Sequence, residues 1–394
     1  MLDKKKNLMI VAGEISGDLY GAALIHTLKE FDQTLDFVCI GSQKMEQETG
    51  KLFFDSSSWG VIGMVESLKK LPGLYRVYKK IKQFLIRNKP DLLLLIDYPG
   101  FNMRLVHAAR KRGVKTIYYI PPSKWAKTPD QIRDAAESID LIITTFETTY
   151  DLYRQAGADV SYVGHPLLDI VKSTKPKDQL KREFGITPEN FTIGLLPGSR
   201  EKEVKYLLPV LLKAARLIKS SIPNAKFIIP ITSATFKTSE DMNQEKIEGY
   251  IRQNFPEAQL TVDATYNVFS TLDFAVIASG TATLEAACMN IPMIIIYKIS
   301  LLTELIARLS GKLPIIFGLP NLILGRQVIP EFAQRDANPE KIASEVVNFY
   351  RNQERIEQQK NYLKDVLKKM GEAGATERAA RLIIDFLRRN DGKS

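Results

Sequence analysis

The sequence predicts an α/β chain built as two doubly wound parallel-sheet domains facing a cleft, and three observations carry that expectation. Short apolar runs of strand type alternate with helical periodicities, the alternation restarts after a polar stretch near the middle, and 394 residues is long for one hydrophobic core. The residues divide into a first domain at 1–170, a second at 177–370 and a closing helical segment at 371–394. With 45% apolar and 25% charged residues, neither half has the composition of a disordered chain.

In the first half, residues 8–12 read as a strand, the turn Gly13-Glu-Ile-Ser-Gly-Asp18 follows, and residues 19–31 have helical periodicity. This opens like a Rossmann unit. Yet Gly13, Gly17 and Gly21 are spaced G-x-x-x-G-x-x-x-G, and no acidic residue follows at the usual distance, so NAD is disfavoured. Glu14, Ser16 and Asp18 beside Gly13 and Gly17 suit a polyhydroxylated or phosphorylated ligand, with a purely structural turn as the alternative.

Residues 37–41 make the next strand, and the segment 59–81 mixes large apolar residues with Lys69, Lys70, Arg76, Lys79 and Lys80. That mixture fits a surface resting on an anionic bilayer or taking an acylated substrate, and equally a core helix with a basic outer face. Residues 91–97 are a buried parallel strand ending in Asp97. Ligands of open α/β sheets lie at the carboxyl ends of strands, so Asp97 stands where chemistry is expected, unless it only caps a helix. Strands at 116–120 and 141–144 follow, the first running into a loop, 121–126, that offers an aromatic wall. His165 sits just before the hinge and, taken alone, reads as a structural histidine.

After a polar, proline-bearing linker at 173–179, strands recur at 192–196, 226–229, 259–262, 274–277 and 292–297. Pro197-Gly-Ser-Arg200 puts a glycine, the Ser199 hydroxyl and a cation at a strand end, where the Arg200 fork matches the oxygens of a leaving diphosphate. Ser279-Gly-Thr-Ala-Thr-Leu-Glu-Ala-Ala287 joins a strand to a helix. Gly280 allows close approach, Thr281 and Thr283 add hydroxyls, and the unpaired N–H groups of a helix start favour phosphate. Glu285, one turn in, could accept both hydroxyls of a ribose; the plainer alternative is that Ser279 or Thr281 merely caps the helix. Asn321, Arg326 and Gln327 read as polar groups at a further helix start, and residues 374–388 are amphipathic.

A formal charge of +10 favours anionic partners, although a solvated basic surface explains it more simply, and no nucleic-acid partner is expected. The two cysteines, Cys39 and Cys288, lie far apart in apolar segments, and no Cys/His cluster has metal-ligand spacing. Reduced core thiols, no metal and no cofactor are expected. The apolar run before Gly13 is short for a signal-peptide core, and no run approaches the roughly 20 residues of a membrane span, so a cytoplasmic protein able to touch a membrane surface is expected.

Five motifs now stand in order: Ala12-Gly-Glu-Ile-Ser-Gly-Asp18, Gly164-His-Pro-Leu-Leu-Asp169, Leu195-Leu-Pro-Gly-Ser-Arg-Glu201, Ser279 to Ala287, and Asn321-Leu-Ile-Leu-Gly-Arg326. Together they closely resemble the lipid-A-disaccharide synthases. The resemblance implies a GT-B architecture of two Rossmann-like domains and an inverting, metal-independent glycosyltransferase. It implies that UDP-2,3-diacylglucosamine is joined to 2,3-diacylglucosamine 1-phosphate through a β-1,6 bond, releasing UDP, at the inner face of the inner membrane of Gram-negative bacteria. By the same resemblance, UDP falls to Arg200 with Ser199, to residues 279–283, and to Glu285, Asn321, Arg326 and Gln327. The acceptor and its acyl chains fall to the first domain, with Gly13, Ser16, Gly17, Asp18 and His165 among the binding positions. Asp97 matches a functionally important aspartate of the family and is expected to be the general base, with Glu14 its rival.

Membrane approach through residues 59–81 and homodimers exchanging C-terminal elements are also implied, so the final helix is expected to pack on the first domain or on a partner chain. Two departures stand out: Gln327 replaces the family's usual glutamate, and the loop at 121–127 lacks one of its aromatic residues. A UDP-sugar epimerase or another UDP-sugar transferase would show a similar nucleotide side, and a non-catalytic lipid-binding protein is the reading from a different class.

Overall fold

The computed structural model describes residues 5–56, 59, 64–121, 128–236, 243–299 and 316–390, with the backbone alone over 64–72. The chain divides into two compact units, each with its own parallel sheet. One contains Glu66–Ile170, the strands before it and the chain from Met370 onward; the other contains Val171–Lys369.

The first unit holds seven strands: β1 (Lys6–Ala12), β2 (Leu35–Gly41), β3 (Phe54–Asp55), β4 (Leu92–Ile96), β5 (Lys115–Tyr119), β6 (Leu141–Thr144) and β7 (Val160–Tyr162). Their order across the sheet is β3-β2-β1-β4-β5-β6-β7, and every pair is parallel. Strands covered on both faces read as unbroken apolar runs, and residues 8–12 and 92–96 are buried throughout. Because β1 pairs with β4 in the middle, the strand order reverses there. The register Ala12↔Ile96 brings the two strand ends side by side.

The second unit holds β8 (Phe191–Leu196), β9 (Ala225–Ile231), β10 (Ala258–Val262), β11 (Phe274–Ala278), β12 (Met293–Tyr297) and β13 (Glu331–Ala333), ordered β10-β9-β8-β11-β12-β13. Reversal falls between β8 and β11, which pair with Leu196 opposite Ile277. The crossover helix Glu201–Ser221 covers one face of this sheet. Its buried residues Val204, Leu207, Leu208, Leu211, Leu212, Ala215 and Ile218 recur at three- and four-residue spacing, as an amphipathic helix requires.

The closing helix Ala375–Asn390 returns to the first unit and lies on the helix Ile15–Phe31, where the Arg381 guanidinium sits 5.3 Å from the Phe31 ring. Its start is fixed by Asp169, whose carboxylate accepts from the N–H groups of Gly374 and Thr376 at 2.5 and 2.8 Å, leaving a negative charge at a helix N-terminus. Arg378 donates to the Val163 carbonyl from Nε and Nη2. The polar linker differs from a free tether: Asn267 Oδ1 accepts from Ser173 Oγ and Thr174 N, and a helix runs over Lys177–Glu183. Among the described residues no helix is long and apolar enough to cross a membrane.

Candidate active site

In the first unit the reversal point is occupied by Gly13-Glu14 after β1 and Asp97-Tyr98 after β4. Asp97 and Tyr98 both adopt the left-handed conformation, with φ of 49° and 51°. An aspartate tolerates this, but a tyrosine pays on the order of 1 kcal/mol or more, so the surroundings must hold the turn. Asn102 does so: fully buried, its Nδ2 donates to the carbonyls of Ile96 (3.2 Å) and Asp97 (2.6 Å). The Tyr118 hydroxyl donates to the same Asp97 carbonyl at 2.6 Å, and Asp97 Oδ1 accepts from the Tyr98 N–H at 2.8 Å. Asn102 and Tyr118 thus anchor the backbone through the Asp97 carbonyl, while the Asp97 side chain, bonded to the Tyr98 N–H, stays partly exposed.

The turn lays the Tyr98 ring over Gly13, where any Cβ would overlap it. Gly13 is therefore a glycine because of Tyr98. Burial pushes the Tyr98 hydroxyl pKa up, and the nearby Glu14 charge pushes it further, so Glu14 stands close to the same turn. Glu14 and Ser16 are partly exposed.

Two neighbours in the glycine-rich motif are framework residues. Gly17 packs the helix against Ala12, whose Cβ would lie 3.3 Å from an added one. Asp18, 3% exposed, accepts from the N–H groups of Ser42 (2.5 Å), Lys44 (3.0 Å) and Met45 (3.2 Å), fixing the start of the helix Gln43–Thr49. Burial pushes its pKa up while these bonds pull it down. The structure therefore corrects the ligand-binding expectation for Asp18: its oxygens are spent on backbone.

His165 is likewise built into the framework through one ring nitrogen. It is 3% exposed, lies against the rings of Tyr20 (5.7 Å) and Phe146 (5.3 Å), and its Nδ1 accepts from the Leu167 N–H at 3.2 Å. Burial lowers its pKa to about 3. The folded pKa lies below that of an unfolded histidine, about 6.5, so protonation of the unfolded chain removes stability as pH falls below that value. Urea unfolding should show a loss on the order of 3 kcal/mol between neutrality and about pH 4 that His165→Gln lacks. Identical pH slopes for the two proteins would remove His165 from this role.

In the second unit the loops at the reversal point are 197–200 after β8 and 279–281 after β11. Glu203, 6% exposed, shapes the first: Oε2 accepts from Ser199 N (3.0 Å) and Arg200 N (3.2 Å), and Oε1 pairs with Arg200 Nη1 (2.9 Å). Gly198, at φ 109°, leaves the space this carboxylate fills. The Ser199 carbonyl accepts from Thr235 Oγ1 at 3.0 Å. Arg200 remains 31% exposed, an oriented cation at a strand end.

In the second loop the Ser279 hydroxyl donates to the Phe317 carbonyl at 3.0 Å, and the side chain of Thr281, at the N-cap of the helix Ala282–Cys288, makes no cap bond. Neither hydroxyl caps the helix. Thr283 is fully buried and donates to the Gly280 carbonyl at 2.8 Å, which fixes the loop and makes it a framework residue. Open space surrounds Gly280 at φ 157°, and Ser279, Thr281 and Glu285 are partly exposed. The Glu285 charge adds to burial in raising Tyr266 and in pushing the Cys288 thiol up to about 12.

Asn321 lies inside a helix, Leu319–Leu324, that ends at left-handed Gly325, so Arg326 and Gln327 follow a helix end instead of opening one. A helix end presents carbonyls, and any attraction for phosphate there comes from the Arg326 charge. Arg326 and Gln327 are exposed, with the Arg326 guanidinium 5.3 Å from the Tyr362 ring. Asn321 is fully buried: Oδ1 accepts from Val328 N and Ile329 N (both 2.9 Å), and Nδ2 donates to the Ile329 carbonyl (2.8 Å) and Glu331 Oε1 (2.6 Å). It is a positioning residue, correcting the expectation of a UDP contact.

Sequence reasoning missed Glu331, whose carboxylate also accepts from Phe317 N (2.8 Å) and Gly318 N (2.9 Å) and so holds the segment to which Ser279 is bonded. It missed Glu203 and Asn102 as well. Glu203 was within reach, since a glutamate three residues into a helix is a capping signal. Most of the loop at 121–127, and the side chains of Lys69 and Lys70, lie outside the described residues. Among the described residues no group of three or more His, Cys, Asp or Glu is placed to hold a metal.

A family model described as Lipid-A-disaccharide synthetase matches residues 8–384. The lipid-A-disaccharide synthase of Syntrophus aciditrophicus is 38% identical over 389 residues, covering 98% of this chain and 99% of the relative. That of Geobacter sulfurreducens is 36% identical over 380 residues, covering 96% and 97%. Among solved structures, S. aureus MnaA with UDP superposes with a TM-score of 0.62 at 14% identity over 97% of both chains. The Neisseria meningitidis UDP-GlcNAc 2-epimerase bound to UDP-GlcNAc gives 0.64 at 12% over 96% and 100%. Those structural likenesses show the shared two-sheet fold of GT-B UDP-sugar enzymes. The match across nearly the whole chain shows more: the chain belongs to the family of lipid-A-disaccharide synthases, the glycosyltransferases of lipid A biosynthesis.

Proposed function

We propose that this chain transfers diacylglucosamine from UDP-2,3-diacylglucosamine to the 6-hydroxyl of 2,3-diacylglucosamine 1-phosphate, with inversion, giving a β-1,6 disaccharide 1-phosphate and UDP. The observation that carries the reading is the Asp97 turn: an oriented, partly exposed carboxylate at the reversal point of the first sheet, in a chain of this family. Asp97 accepts the acceptor's hydroxyl proton as the oxygen attacks the donor's anomeric carbon, with Glu14 the rival base. The bond from that carbon to the diphosphate breaks, and UDP leaves with its electron pair. In the second unit, Arg200 and the loop at 279–281 receive the negative charge that develops on the diphosphate, while Glu285 takes the ribose hydroxyls. The enzyme works as a peripheral protein at the inner face of the inner membrane, where both acylated substrates reside.

The test is direct. Detergent-dispersed donor and acceptor should be consumed with one UDP released per disaccharide, the linkage read by nuclear magnetic resonance. Turnover of unacylated UDP-N-acetylglucosamine, with the acylated acceptor untouched, would overturn the proposal in favour of an epimerase.

A further inference from the structure

Among the described residues of the second unit, burial lowers the ammonium pKa of two lysines, Lys226 and Lys298. Taking an ammonium out of water costs free energy unless a partner replaces the lost solvation. Lys226, near the start of β9, has one: its Nζ donates to the Gly185 carbonyl at 2.6 Å. Lys298 stands at the opposite, carboxyl edge of the same sheet, just after β12, and among the described residues its side chain makes no hydrogen bond and no ion pair.

That edge is also where Arg200 and the loop at 279–281 lie. β12 pairs with β11, Ala278 opposite Ile296, and the Ser279 N–H donates to the Ile296 carbonyl at 2.9 Å. Lys298 comes two residues later, about 7 Å along the strand, a distance that the four-carbon stem of a lysine spans. Tyr297, just before it, ties this strand end to both loops. Its ring lies 5.6 Å from that of Phe317, whose carbonyl accepts from the Ser279 hydroxyl. Burial raises its hydroxyl pKa, Glu203 adds to the rise and Arg200 opposes it, so Tyr297 stands near that ion pair two strands away.

Gln334, just after β13, clamps the backbone on both sides of Lys298. Its N–H donates to the Tyr297 carbonyl at 2.9 Å, and its Oε1 accepts from the Ile299 N–H at 3.0 Å. To do so Gln334 holds a left-handed φ of 54°, a costly conformation for a residue with a side chain. A partly buried cation on a fixed backbone, beside two phosphate-suited loops and without an anion of its own, fits a phosphate that arrives with a ligand.

We propose that Lys298 contacts the diphosphate of the UDP-linked donor, joining Arg200 in meeting the charge that develops as UDP leaves. The inference rests on the assignment of UDP to the second unit made above. Affinities of the full-length protein for UDP and for uridine, which keeps base and ribose and has no phosphate, are read by ligand-observed nuclear magnetic resonance. Lys298→Met should weaken UDP roughly 10- to 100-fold, the scale of one lost hydrogen bond to a charged group, and leave uridine within about twofold. Lys298→Arg, which restores the charge, should recover most of the loss. Lys226→Met, an equal change of charge at the far edge of the same sheet, should leave UDP affinity intact. Because the wild-type amine is desolvated without a partner, Lys298→Met should melt no lower than wild type.

Failure of wild type to bind UDP would sink the UDP assignment itself. With wild-type binding in place, unchanged UDP affinity in Lys298→Met, or an equal loss in Lys226→Met, would overturn the role of Lys298 alone. An equal loss for uridine, or a lower melting temperature, would mark Lys298 as a framework residue and overturn the contact. A raised KM for the acceptor with UDP affinity intact would place Lys298 on the acceptor's phosphate, against the assignment made here.

Discussion

Asp97→Asn is expected to lower turnover by roughly 10²–10⁴-fold while leaving fold and UDP affinity unchanged, the range a single positioned base contributes. The substitution is clean for structural reasons. Asparagine is the residue that best shares aspartate's tolerance of the left-handed conformation, and φ at this position is 49°. Its side-chain oxygen can still accept from the Tyr98 N–H, while Asn102 and Tyr118 hold the Asp97 carbonyl, not the carboxylate. Only the capacity to take a proton is removed. Unchanged melting temperature and UDP binding by calorimetry, beside collapsed turnover, would establish the assignment; normal turnover in Asp97→Asn with collapse in Glu14→Gln would transfer the role to Glu14.

For Arg200→Ala the expected loss of turnover is about 10²–10³-fold, on the scale of removing one preorganised group that meets developing negative charge. UDP affinity should weaken with it, because the same cation meets the bound product. Here the substitution also touches the framework, since Glu203 is 6% exposed and loses a partner 2.9 Å away. Two backbone N–H groups, of Ser199 and Arg200, still hold that carboxylate, so destabilisation should stay within about 1–3 kcal/mol. Arg200→Lys keeps the charge without the planar fork and should recover affinity in part. Wild-type UDP affinity and turnover in Arg200→Ala would place the diphosphate elsewhere.

Both variants probe residues that the sequence alone had pointed to, and the ease of that reading has a physical basis. Strands buried on both faces must be continuous apolar runs, so the residues breaking such a run at its carboxyl end announce themselves: Gly13-Glu14, Asp97, Pro197–Arg200 and Ser279–Thr283 were all visible this way. Burial and hydrogen-bond partners were not visible. Asp18, His165, Thr283 and Asn321 have the chemistry of ligand contacts, and the structure spends each of them on the framework. Glu331 and Asn102 looked ordinary in sequence, because what makes them important is a set of partners distant along the chain or folded back on it.

By itself the sequence determined the parallel α/β class, the two sheets and the family, because period, apolar runs and ordered motifs are local properties of the chain. Only the tertiary structure decided which strand ends lie beside one another. Parallel pairing through long crossovers brings Ala12 next to Ile96 and Leu196 next to Ile277, and nothing in the spacing of those residues specifies that neighbourhood. The same packing decided that Gly13 must yield to the Tyr98 ring and that Asp18 must face backbone N–H groups, since a buried carboxylate is stable only where donors already converge.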